Sequence, residues 1–196
     1  MVILASKSPR RKELLAQLGF EFLAVSADID ESIQVGETPL HYVERLAIEK
    51  AQAIANLSNY QQASVIGSDT AVVINNEILG KPANQQASAE MLAKLSNTRH
   101  QVYTSIAVVT GEHVLSKVVV THVDFKALSN EEINAYWQTG EPQDKAGSYG
   151  IQGLGGQFVK SIDGSYSSVV GLPLVETAEL LTQCGVKPTR AMGVIT

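Results

Sequence analysis

The sequence predicts an α/β fold with a mixed sheet, flanking helices and a cleft between two lobes. Three observations lead there. Short apolar runs alternate with amphipathic stretches through the first half of the chain, and a strand-rich stretch follows. The 196 residues are 44% hydrophobic, enough for a real core in a single domain spanning residues 1–196. Charged residues make up 18%, too few for a disordered chain.

Each element has its own reason. Val2–Leu4 is a continuous apolar run and reads as a buried strand. Ser8 and Pro9 read as the N-cap and first residue of a helix, with Leu14, Leu15 and Leu18 as its buried face and Gly19 as its stop. The alternating "FEFLAV" reads as a second strand, and "SADIDESIQVGE" as an acidic loop. Thr38 and Pro39 open a helix running to about residue 57, with an apolar stripe of Leu40, Val43, Leu46, Ala47, Ala51, Ile54 and Leu57. "SVIGSD" and "TAVVINNEIL" follow as strand, with Asn75-Asn76 as a turn. A helix is expected around 87–95, and "QVYTSIAVV" with "EHVLSKVVVTHVDFKAL" reads as a hairpin about Gly111. Ser129 and Glu132 have capping-box spacing. Residues 147–156 hold five glycines, a loop suited to close backbone approach. "QFVKSI" and "SYSSVVG" read as strands about an Asp163-Gly164 turn, and Pro173 starts a last helix to about 184.

Composition excludes several classes. A net charge of −5 argues against a general nucleic-acid surface, but allows a small anion where cations gather locally. The single cysteine, Cys184, rules out an intramolecular disulfide and a cysteine-based zinc cage, and reads as a small apolar side chain near the end of the last helix. The four histidines have no metal-ligand spacing and read as structural or exposed. No signal peptide and no membrane span are expected, so the default is a cytoplasmic protein without membrane partners.

Several charges stand in unusual places. "SKSPRR" puts Arg10 and Arg11 at a helix start, where the dipole disfavours cations and favours anions. They are either solvated surface residues or face an anion, and the hydroxyls of Ser6 and Ser8 favour a phosphate. Lys50 falls on the apolar stripe of the second helix, whereas Arg45 and Glu49 point roughly the other way. It either snorkels to the rim or meets an anion. Asp69 in "GSDTAVV" lies between two apolar runs and is a turn former, or a carboxylate that is paired, solvated in a cleft or bound to a metal. Lys81 in "LGKP" is a cation in a tight turn. Asp28, Asp30 and Glu31 form a solvated loop or supply an oxygen ligand to Mg²⁺.

These segments resemble a known family. "ASKSPRRKELLAQLG", "ERLAIEKA", "GSDT", "GKP", "DKAGSYGIQGLGG" and "GSYSSVVGLPL" occur in the order seen in the Maf family of nucleoside triphosphate pyrophosphatases, over about residues 3–181. The resemblance implies an elongated protein with a strongly twisted mixed sheet, related to inosine-triphosphatase-like enzymes. It implies hydrolysis between the α and β phosphates of a nucleoside triphosphate, with Mg²⁺ or Mn²⁺. By the same resemblance Asp69 is the proton acceptor, and Ser6, Arg11, Lys50 and Lys81 contact phosphate. Glu31 is the acidic-loop carboxylate, a metal ligand with Asp69 or a partner in its base role. Arg10, Thr70 and Gln152 match the branch acting on dTTP and UTP, since the branch acting on 7-methylguanosine triphosphate carries Trp, Gln and Glu there. The Gln152 amide complements the O4 acceptor and N3–H donor of uracil or thymine.

The implied role is nucleotide metabolism, limiting incorporation of modified nucleotides and linked to cell division arrest. The expected partner is the nucleotide, not nucleic acid, and a homodimer is among the expected assemblies. Two rivals stay open: the same chemistry on 7-methylguanosine triphosphate or other modified nucleotides, and a non-catalytic nucleotide-binding regulator of septation.

Overall fold

The computed structural model describes residues 1–189. In chain order the strands are β1 (Val2–Leu4), β2 (Phe22–Ala24), β3 (Ser64–Ile74), β4 (Glu77–Leu79), β5 (Arg99–Thr110), β6 (His113–Phe125) and β7 (Val159–Asp163). The helices are α1 (Pro9–Gln17), α2 (Pro39–Ala55), α3 (Gln85–Leu95), α4 (Asn130–Gln138), α5 (Tyr166–Val170) and α6 (Leu174–Gln183), with short 3₁₀ turns between. The strands form a seven-stranded sheet in the order β2-β1-β3-β5-β6-β7, with β4 on β3. It is mixed: β1 runs parallel to β2 and β3, while β4 on β3 and β7 on β6 are antiparallel. No helix of the described residues is long and apolar enough to cross a membrane.

The chain divides into two compact units. The first comprises Met1–Asp69, Thr104–Val119 and, among the described residues, 171–189. Its core joins Ile3 and Ala5, Ala51 and Ile54 of α2, and Val65 and Val109. α1 begins as its sequence dictates: the Ser8 hydroxyl accepts from Arg11 N–H, Pro9 fills the first position, and Gly19 takes a φ of 75° just past the C-cap. α2 is capped by Thr38 in the same way. Its buried face is Pro39, Val43, Leu46, Ala47, Lys50, Ala51 and Ile54, a helical stripe with a lysine in it. Leu40 and Leu57, expected on that stripe, are 41% and 46% exposed: Leu40 lies in the first turn of the helix and Leu57 beyond its C-cap at Asn56.

The second unit comprises Thr70–Tyr103 and Val120–Val170. Val72, Leu79, Leu92, Leu95, Val102 and Val123 pack there with Phe125, Tyr136, Tyr149 and Phe158. The aromatic rings meet edge to face: Phe125–Tyr149 centroids are 4.7 Å apart and Tyr136–Phe158 centroids 4.9 Å. The β3–β4 turn is Asn75-Asn76 with φ of 49° and 64°, the left-handed pair a two-residue hairpin requires. The Ser129–Glu132 capping box forms at the start of α4.

Two local expectations are corrected. Asp69 neither turns nor interrupts the chain: β3 runs without a break through it. "SYSSVVG" is the helix α5 rather than a strand. The hydroxyl of Ser165 accepts from Ser168 N–H at 3.2 Å, and this cap outweighs the strand preference of the aromatic and β-branched residues. Cys184 is free and half-buried at the C-cap of α6.

Candidate active site

The β1–α1 turn sets the first part of the site. Ser6 is buried, and its hydroxyl accepts from Ser8 N–H at 3.1 Å. The first turn of α1 carries no acidic residue, so its positive dipole end is not neutralised from within the helix. Arg11, one turn in, is steered by its Nε, which donates to Gly171 O at 2.8 Å. The same carbonyl accepts from Ser68 Oγ at 3.0 Å. Arg10, beside it, is half-buried.

The second part comes from α2 pressed against β3. A Cβ on Gly67 would lie 2.0 Å from Ala47 O and 2.8 Å from Ala51 N, so only glycine permits the approach. Lys50 lies between those two alanines in sequence. Asp69 is two residues beyond Gly67, hence on the same face of the strand. The consequence is direct contact: Lys50 Nζ donates to Asp69 Oδ1 at 2.7 Å, both side chains about nine-tenths buried. Lys50 Nζ also pairs with Glu31 Oε1 at 2.6 Å. One ammonium therefore holds two carboxylates, and the reading of Lys50 as a snorkelling rim lysine does not survive.

Burial pushes the Asp69 carboxyl above its ordinary value, while Lys50 and Arg11 pull it back. Burial likewise draws the Arg11 guanidinium below its ordinary value, opposed by Asp69 and in smaller measure by Glu31. Arg11 thus lies within the electrostatic reach of both carboxylates. The cluster gathers Arg11, Glu31, Lys50 and Asp69, with Ser6 in the adjoining turn. Among the described residues no group of three or more His, Cys, Asp or Glu side chains could hold a metal ion. Two carboxylates alone still fit Mg²⁺ or Mn²⁺, hard cations that take one or two carboxylates and complete their shell with substrate phosphate oxygens and water.

Sequence reasoning passed over the residues that hold Glu31. Tyr42 OH donates to Glu31 O at 3.1 Å. Arg45 bridges α2 to the acidic loop: its Nε and Nη2 donate to Glu37 at 2.6 and 2.8 Å, and Nη2 also donates to Ser32 O at 3.0 Å. Arg45 additionally pairs with Glu49 at 3.2 Å one turn on. The hydrogen bonds and charge of Glu37 raise the Arg45 guanidinium above its ordinary value, and Glu37 in turn is lowered. Burial, with Asp69 and Glu31 adding, pushes the Tyr42 phenol up to about 12. Asp30 is occupied locally, accepting from Ser32 N–H at 2.9 Å, and Asp28 is exposed. The readable signal was the charge pattern Glu37, Arg45, Glu49.

The remaining predicted residues belong to the second unit. Thr70 follows Asp69 along β3 and is half-buried. Lys81 is exposed, in a turn tied down by Gly147 N–H donating to Gly80 O at 3.0 Å. Gln152 is exposed in a turn closed by Gly153 N–H donating to Gly150 O at 3.3 Å.

Comparison with known proteins bears on this arrangement. Residues 1–184 match the family described as Maf-like protein. A dTTP/UTP pyrophosphatase of Colwellia psychrerythraea is 56% identical over 187 residues, covering 94% of this chain and 88% of that relative. One from Pseudoalteromonas translucida is 58% identical over 180 residues, covering 92% and 95%. Among solved structures, a nucleoside-triphosphatase / dITP/XTP pyrophosphatase from Mycobacterium abscessus aligns with TM-score 0.42 and 15% identity, over 63% of this chain and 72% of that one.

Proposed function

Because the chain belongs to the Maf family, we propose that it hydrolyses dTTP and UTP to the nucleoside monophosphate and pyrophosphate. The observation that carries this reading is the meeting of Asp69, Lys50 and Glu31 beside Arg11. A buried carboxylate raised in basicity next to fixed cations suits proton abstraction from water near a polyanion.

The chemistry follows by role. Ser6 and the start of α1 offer donors to phosphate oxygens, and Arg11, Lys50 and Lys81 offset their charge. Asp69 takes a proton from a water molecule whose oxygen attacks the α phosphorus. The bond from that phosphorus to the α–β bridging oxygen breaks, and its electron pair leaves with pyrophosphate. Arg11 and Lys50 favour that departure by meeting charge as it develops. Asp69 and Glu31 would hold a Mg²⁺ or Mn²⁺ ion, which when bound neutralises phosphate charge. Lys50 lets two like-charged carboxylates remain together in the free protein.

Base choice is assigned to Arg10, Thr70 and Gln152. The Gln152 side chain donates its amide N–H to O4 of uracil or thymine and accepts from N3–H. Cytosine reverses that edge, so an amide held in this orientation loses both contacts. The test is a panel of UTP, dTTP, CTP, ATP, GTP and 7-methylguanosine triphosphate with Mg²⁺ or Mn²⁺, following pyrophosphate release from pure protein. UTP and dTTP are expected to react fastest. Equal or faster purine turnover contradicts the base assignment, and absence of pyrophosphate with every nucleotide contradicts the enzyme and favours a binding regulator.

A further inference from the structure

The turn carrying Gln152 is clamped at both ends by two side chains outside it. Tyr136, buried on α4, accepts from Gly150 N–H at 3.2 Å through its hydroxyl and donates to Glu141 Oε1 at 2.7 Å. Glu141 Oε2 accepts from Leu154 N–H at 2.8 Å, and Oε1 accepts from Gly155 N–H at 3.1 Å. Gln152 stands between these anchors, exposed at the tip of the Gly150–Gly153 turn. The glycines are part of the device. A Cβ on Gly153 would come within 2.3 Å of the Glu141 carboxylate, and one on Gly155 within 2.5 Å of the Tyr136 hydroxyl.

We propose that Glu141, acting with Tyr136, is a specificity-positioning residue: it fixes the 150–156 turn so that the Gln152 amide meets the pyrimidine edge in one orientation. A side-chain amide at the tip of a glycine-rich turn reads a base only if the turn is held, because each glycine adds backbone freedom. A carboxylate suits this task. It is acceptor-only, and three donors converge on it: two backbone N–H groups and one hydroxyl. Burial pushes the Glu141 carboxyl up, yet the N–H of Gly155, the hydroxyl of Tyr136 and the N–H of Leu154 outweigh burial and hold it below its ordinary value. The carboxylate is therefore held in its charged form by donors of the protein itself, with Lys145 adding to them.

Glu141→Gln keeps shape and puts an NH₂ donor against donors already in place, so one end of the turn is released. Tyr136→Phe removes the hydroxyl link to Gly150 and leaves the Leu154 and Gly155 anchors, so the same effect in smaller measure is expected. This inference rests on the base-reading role of Gln152, and Gln152→Ala is measured alongside.

The experiment compares kcat and KM of wild type, E141Q, Y136F, Q152A and E141Q/Q152A on UTP, dTTP and CTP. In E141Q the ratio of kcat/KM for UTP to that for CTP is expected to fall by about 5-fold or more, the loss lying in KM for UTP. In the double variant, E141Q is expected to cost no further selectivity once Gln152 is gone. A uniform loss on UTP and CTP, in both E141Q and Y136F, overturns the proposal, since a purely structural role lowers all substrates together. Selectivity lost in Q152A but intact in E141Q and Y136F overturns the role of Glu141 alone. Selectivity intact in Q152A overturns the reading of Gln152 and this proposal with it.

Discussion

Surroundings set the basicity of Asp69. On a continuous strand it has little solvent to stabilise its charge, so burial raises its pKa and with it its basicity. Lys50 and Arg11 oppose that shift. Activity is accordingly expected to fall with acid at a pH above the ordinary aspartate value, as the folded-state carboxyl takes up its proton. Asp69→Asn keeps the shape, still offers Lys50 an acceptor oxygen, and leaves the Lys50–Glu31 pair. Turnover of UTP is expected to drop by about 10²–10⁴-fold, with circular dichroism unchanged. Near-normal turnover in that variant would remove Asp69 from the chemistry.

At the scale of elements, the helix α2 and the strand β3 make the site by touching. Gly67→Ala places a methyl group against Ala47 O and Ala51 N, backbone atoms that move only if helix and strand part. Overpacking of this kind costs about 1–3 kcal/mol, and the upper end corresponds to a Tm lower by roughly 6–12 °C for a chain of this size. Turnover falls with it, because the Lys50–Asp69 contact spans the same interface. A Gly67→Ala protein with unchanged Tm contradicts the close approach.

This interface also shows what sequence could and could not reveal. Lys50 was readable because a charge on an apolar helical stripe breaks a pattern. Ser8, Thr38 and the Ser129–Glu132 box were readable because caps act within one turn. The partners of Arg45 were not readable: Glu37 and Ser32 lie in the preceding loop, and helical periodicity says nothing of loops. The Gly171 carbonyl that steers Arg11 is 160 residues away and carries no side-chain signal. α5 was misread because five residues are too few for periodicity to decide, and the Ser165 cap went unweighed.

For the whole molecule, a net charge of −5 and a tetra-anionic substrate are reconciled by position, not by sum. Water activated by Asp69 is expected to attack the α phosphorus, with pyrophosphate departing. The most direct measurement is hydrolysis of UTP in ¹⁸O-enriched water with Mg²⁺ or Mn²⁺, followed by mass spectrometry of both products. The label is expected in the phosphate of UMP, with pyrophosphate unlabelled. Label in pyrophosphate, or release of orthophosphate with UDP, contradicts the account.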